Sequence, residues 1–113
     1  MALIYKILPH SEWLEARGRG RFEGSAVDRA DGYIHFSTGL QALETARRYF
    51  MNSPDLVVLV VESEGLGADL KWEPSRGGDL FPHLYCALDC AAVSEVRFAP
   101  PGADGVPQLG DLG

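Results

Sequence analysis

Six consecutive apolar residues, Leu56-Val57-Val58-Leu59-Val60-Val61, set the strongest limit on the fold of this chain. The run is rich in β-branched side chains and lacks the in-and-out alternation of a strand with one wet face. It therefore reads as a central strand covered on both sides. A chain of 113 residues has room for one domain with one such core. The same run is far too short to span a bilayer, so no membrane segment is expected and the protein reads as soluble.

The other elements follow from local signals. Leu3 to Leu8 has strand composition and stops at Pro9; Ser11 is positioned to cap a short helix carrying Trp13 and Leu14, which Gly18 and Gly20 end. Residues Arg19 to Ala30 are polar and aperiodic and read as a long loop, a lid or a binding loop. Tyr33 to Phe36 is a short strand. Thr38 followed by Gln41 is a capping-box pattern and predicts a helix from about Gly39 to Phe50, with Leu40, Leu43, Ala46 and Phe50 on the core face. After the central strand come strands near Leu70–Trp72, Phe81–Leu88 and Val96–Phe98, separated by glycine-rich turns. Two main helices and several strands without long crossovers point to a curved α+β domain over residues 1–99. Residues 100–113, rich in proline and glycine, read as a surface-wrapped or mobile tail.

Charge excludes some partners. The first 48 residues carry seven basic and six acidic side chains, the remainder three and ten, giving the net −6. Duplex nucleic acid is not expected on so acidic a chain. Arg17, Arg19, Arg21 and Arg29 form either a local anion site or a solvated basic loop. The N-terminus shows no export-signal pattern, and Cys86 and Cys90 form no CxxC pair; both observations favour a cytoplasmic protein with reduced thiols.

Two of the three histidines lie in chemically dense segments: Asp31-Gly32-Tyr33-Ile34-His35-Phe36-Ser37-Thr38, and Trp72-Glu73 with Phe81-Pro82-His83-Leu84-Tyr85. His35 precedes a helix start, where Ser37 and Thr38 could hold an anion beside the imidazole. Glu73 could bind a hydroxyl or face a cationic transition state while Trp72 shields the pocket. Alternation puts Phe81, His83 and Tyr85 on one face of their strand. Each residue also has a plain structural reading: Thr38 as a helix cap, Trp72 as core, Glu73 as a strand terminus, His83 as a packed sheet residue. Lys6 either faces the cleft or sits on an exposed edge. No HExxH or close histidine pair supplies a metal site, and none is expected.

Taken together, Ile4-Tyr5-Lys6-Ile7, DGYIHFS at 31–37, the helix from Gln41, Leu70-Lys71-Trp72-Glu73 and FPHLY at 81–85 resemble the bacterial and plant family known as domain of unknown function 952, over about residues 3 to 98. The resemblance implies an ADP-ribosyltransferase-like fold, a split, curved, mixed sheet with a cleft for NAD or a derivative. It also implies site roles for His35, Ser37, Trp72, Glu73, His83 and Tyr85, and sets Lys6 where relatives often have histidine.

Three functions follow as expectations. The first is a binding domain for a nucleotide-like or other small anionic compound near His35 and His83. The second is an ADP-ribosyltransferase-like enzyme acting on NAD or an ADP-ribosylated small molecule. There His35, His83 and Glu73 would do the chemistry, and Tyr33, Ser37, Thr38, Trp72 and Tyr85 would hold the cofactor. The third is a noncatalytic protein-interaction domain.

Overall fold

The computed structural model describes residues 2–112, and its centre is the strand expected from the valine run. Strand β5 (Leu56–Glu62) lies between β1 (Leu3–Pro9) and β9 (Val93–Phe98), with the two-residue β4 (Ser37–Thr38) beyond β1, in the order β4-β1-β5-β9. All pairs are antiparallel; Tyr5 stands opposite Val60 on one side and Ser37 on the other. Val57, Leu59 and Val61 face a core with Ile4, Leu8, Trp13 and Phe22, whereas Leu56, Val58 and Val60 face a second with Tyr5, Ile7, Ala42 and Ala46. Burial on both faces is the physical reason the run shows no polar alternation.

Helix α1 (His10–Arg19) packs Trp13 and Ala16 on the first face; Pro9 stands at its N-cap, and Gly20 at φ +84° ends it. Helix α3 (Gly39–Tyr49) covers the second face. Its capping box is formed: Thr38 Oγ1 accepts from the Gln41 amide at 3.3 Å, and Gln41 Oε1 accepts from the Thr38 amide at 3.0 Å. The buried stripe is narrower than the periodicity suggests. Ala42 and Ala46 are sealed and Phe50 is half-buried, but Leu40 is 97% exposed and Leu43 also lies in solvent. Two alanines let the helix lie close to the sheet, and its long apolar side chains fall outside that contact.

Two smaller sheets stand beside the first. One is β3 (Ile34–His35), β7 (Leu80–Leu84) and β6 (Leu70–Pro74) in the order β3-β7-β6; the other pairs β2 (Arg21–Phe22) with β8 (Leu88–Asp89). The expectation of one curved, split, mixed sheet with two main helices, like that of the ADP-ribosyltransferases, is therefore incorrect. Short strands ended by turns give three separate antiparallel sheets. Among the described residues there are also three α-helices, α1, α3 and α2 (Ala26–Asp31), and three 3-10 segments at Ser63–Asp69, Arg76–Gly78 and Cys90–Ala92. Helix α2, with β2, occupies the stretch expected to be a loop. The Ser25 amide donates to Asp28 Oδ2 at 2.9 Å, which fixes the first turn, and Gly32 at φ +89° ends the helix.

Residues 100–112 wrap the sheet. Pro101 and Pro107 form a bridge, Leu109 enters the second core, and Arg97 Nη1 donates to the Leu109 and Asp111 carbonyls. No helix among the described residues is long and apolar enough to cross a membrane.

Candidate functional site

Strand β4 pairs with Ile4 and Tyr5, so from Lys6 onward that side of β1 has no strand neighbour among the described residues. A cavity of about 440 Å³ lies there, between β1, the C-terminal part of α3 and the β3–β7 ladder. Its wall includes Tyr33, His35, Ser37, His83 and also Lys6, which is 6% exposed. The exposed-edge reading of Lys6 is thus overturned.

Cross-strand pairing places His35 directly opposite His83 on β7, with ring centroids 5.6 Å apart. Tyr33 bridges them, stacked on His83 at 4.1 Å and tilted against His35 at 4.6 Å, and its ring also meets Tyr85 at 5.2 Å. Burial, with Asp31 and Glu73 nearby, raises the Tyr33 phenol above its usual pKa.

Beneath His35 lies a carboxylate that the sequence reading passed over. Asp28 is 1% exposed and accepts from Lys6 Nζ at 2.8 and 2.9 Å, from the Ser25 amide at 2.9 Å and from the His35 amide at 3.2 Å; His35 Nδ1 lies 2.6 Å away. Burial pushes the Asp28 carboxyl up, but His35, Lys6 and the Ser25 amide outweigh it and hold the group at about 2. Burial lowers the Lys6 ammonium, with Asp28 opposing. The two directions differ in sense, one ion favoured and the other not. The carboxylate's gain follows from its several converging donors, whereas Lys6 has one hydrogen-bonded partner, with Glu12 a lesser attraction, against nearly complete desolvation. The other ring nitrogen, His35 Nε2, lies 2.9 Å from Asp31 Oδ2. Carboxylates therefore flank both nitrogens, and only a ring carrying two N–H groups donates to both.

His83 has a different setting. Its Nδ1 is 2.8 Å from Glu73 Oε1, the same oxygen that accepts from the Tyr85 hydroxyl at 2.7 Å. Those two bonds, Tyr85 first, keep Glu73 below the usual carboxylate range, and the Glu73 bond pushes the Tyr85 phenol up to about 12.

The far wall carries a cation. Arg76 Nη2 donates to Thr45 Oγ1 at 3.2 Å, and its guanidinium lies 5.0 Å over the Phe81 ring. Thr45 Oγ1 also meets Ser37 Oγ at 3.0 Å and donates to the Gln41 carbonyl at 3.1 Å. Among the described residues no carboxylate lies in ion-pair range of Arg76, whereas Lys6 is already neutralised by Asp28.

The structure thus brings Tyr33, His35, Ser37 and His83 to one cavity, with Glu73 and Tyr85 buttressing His83 from outside it. Thr38 and the half-exposed Trp72 lie elsewhere, on a shallower concavity with Leu40 and Leu112. The residues that sequence reading missed are Asp28, Thr45 and Arg76. Ser25-x-x-Asp28 was a legible capping pattern; nothing local marks Arg76, which comes from a glycine-rich turn. No group of three or more His, Cys, Asp or Glu among the described residues is arranged to hold a metal ion.

No curated protein matches the chain at a significant level. The crystal structure of protein CC0527 from Caulobacter crescentus is similar at a TM-score of 0.94 and 59% identity, covering 96% of each chain. The solution NMR structure of CC0527 gives 0.88 and 58%, covering 98% of this chain and 96% of that one. None of these matches ties the chain to the ADP-ribosyltransferase fold. Residues 7–96 match the family described as protein of unknown function (DUF952), and the chain belongs to that family.

Proposed function

We propose that this domain binds a small anionic organic compound, nucleotide-like or simpler, in the cavity between Arg76 and the His35–His83 pair. The observation that carries the reading is Arg76 itself, a guanidinium held in place by Thr45 and Phe81 on a cavity wall with no carboxylate in ion-pair range among the described residues; Glu44, which feels its charge, is paired with Arg48. In a chain of net charge −6, such a cation is a local attraction for an anion that the overall field does not supply. The volume suits a ligand of modest size, and the aromatic rings offer flat apolar surface beside polar groups. Two free cysteines, Cys86 exposed and Cys90 half-buried, fit the reducing cytoplasm this reading assumes.

The test is calorimetric titration of the whole chain with a panel of nucleotides, NAD included, and small phosphates and carboxylates. The reading predicts saturable binding by at least one anion and its loss in Arg76→Met. Nicotinamide released from NAD would turn the binding reading into an enzymatic one; no binding across the panel overturns it.

A further inference from the structure

The geometry points to His83 Nε2 as a proton acceptor for the bound compound, which makes the ligand an oxyanion bearing an O–H or N–H group. The ligand half of this inference rests on the reading above; the base half rests on the histidine alone.

The two histidines differ in what their nitrogens have left to do. Both ring nitrogens of His35 face carboxylates, Asp28 at 2.6 Å and Asp31 at 2.9 Å. Its hydrogen-bonding capacity is taken up within the protein. His83 is 3% exposed, and only its Nδ1 is engaged, by Glu73. Glu73 is an ionised acceptor that also receives the Tyr85 hydroxyl, so in the neutral ring the proton belongs on Nδ1 and the lone pair on Nε2. That lone pair has no partner among the described residues, and His83 forms part of the cavity wall. A nearly buried ring thus keeps one acceptor atom for whatever enters the cavity. A second carboxylate oxygen is not a suitable occupant of that place: Asp31 and Glu73 already crowd this end with negative charge, whereas Arg76 on the far wall has no carboxylate in ion-pair range among the described residues, and Glu44, which feels its charge, is paired with Arg48. The ligand is therefore oriented, with its anionic group toward Arg76 and its hydrogen-bond donor toward His83.

Transfer moves one proton from the ligand O–H or N–H to Nε2. The bonding pair stays on the ligand oxygen or nitrogen, and the imidazolium that forms faces the Glu73 carboxylate across Nδ1. Nothing else is consumed or released. Glu73 and Tyr85 are positioning residues, since they act on the ring and not on the ligand.

The base half is tested on the free protein by long-range proton–nitrogen NMR of the three histidines. His83 is expected as the Nδ1–H tautomer, and Glu73→Ala, on a partly exposed strand, should let the ring revert toward Nε2–H. The ligand half is tested with two probes, benzoate and 3-hydroxybenzoate. The hydroxylated probe should bind about tenfold more tightly, as one buried hydrogen bond implies, and Glu73→Ala should bring the ratio close to one. An Nε2–H tautomer in the unaltered protein overturns the inference, as does equal affinity for the two probes when Arg76→Met abolishes both. That second result leaves the cavity reading standing. Failure of both probes to bind counts against the cavity reading, while the tautomer still decides for or against the base.

Discussion

The Lys6 ammonium lies 2.8 Å from the Asp28 carboxylate, with 6% and 1% of the two side chains exposed. Removing the cation alone leaves a buried carboxylate short of its one ammonium donor. Lys6→Met is expected to destabilise the fold by about 3–5 kcal/mol, and Lys6→Met/Asp28→Asn by clearly less. Urea denaturation of the two variants measures this. Equal losses in the two would show that the pair is not coupled.

Acid should find the same carboxylate. Asp28 is held at about 2 in the fold, against roughly 3.9 in an unfolded chain. Its contribution, on the order of 2 kcal/mol, is complete above the unfolded value and is lost as pH falls from about 4 through 2. Lys6, lowered by burial, acts in the opposite sense: the ammonium disfavours the fold at neutral pH, and that penalty fades as pH rises. Stability measured from pH 5 to 2 should fall more steeply in the parent chain than in Asp28→Asn.

A phenol reports on the outer face of the site. With Glu73 accepting from its hydroxyl, Tyr85 ionises near 12. Ultraviolet titration, with Tyr85→Phe to assign the late transition, should show it moving down toward about 10 in Glu73→Gln. A late transition that survives that substitution contradicts the hydrogen bond.

Tyr5 offers a contrast to these satisfied groups. It is 1% exposed and its hydroxyl has no hydrogen-bond partner among the described residues. Tyr5→Phe should leave stability within about 0.5 kcal/mol or raise it, because the lost group was desolvated without compensation. A loss above about 1 kcal/mol would reveal a partner, such as buried water.

The local parts of this architecture were legible in the residues. The β-branched run gave the central strand, and Thr38 with Gln41 gave the start of α3. Helix α2 escaped because six residues carry almost no periodicity, leaving only the Ser25-x-x-Asp28 cap as a signal. Asp28 matters through Lys6 and His35, partners that only the fold brings to it. Leu40 was misplaced because periodicity identifies an apolar stripe without showing how much of it the sheet covers. The same limit applies to the sheet itself. The motifs put His35 and His83 on strands, but neither their cross-strand pairing nor the break into three sheets is written in them.

The central claim is that an anion enters the cavity and is held by Arg76. Backbone and arginine side-chain NMR during titration with benzoate measures it most directly. The account predicts saturable shifts at Arg76, Thr45, Phe81 and His83, with affinity reduced at least about tenfold in Arg76→Met, as expected when a charge-assisted contact is removed. Shifts confined to another surface, or unchanged by that substitution, would contradict it.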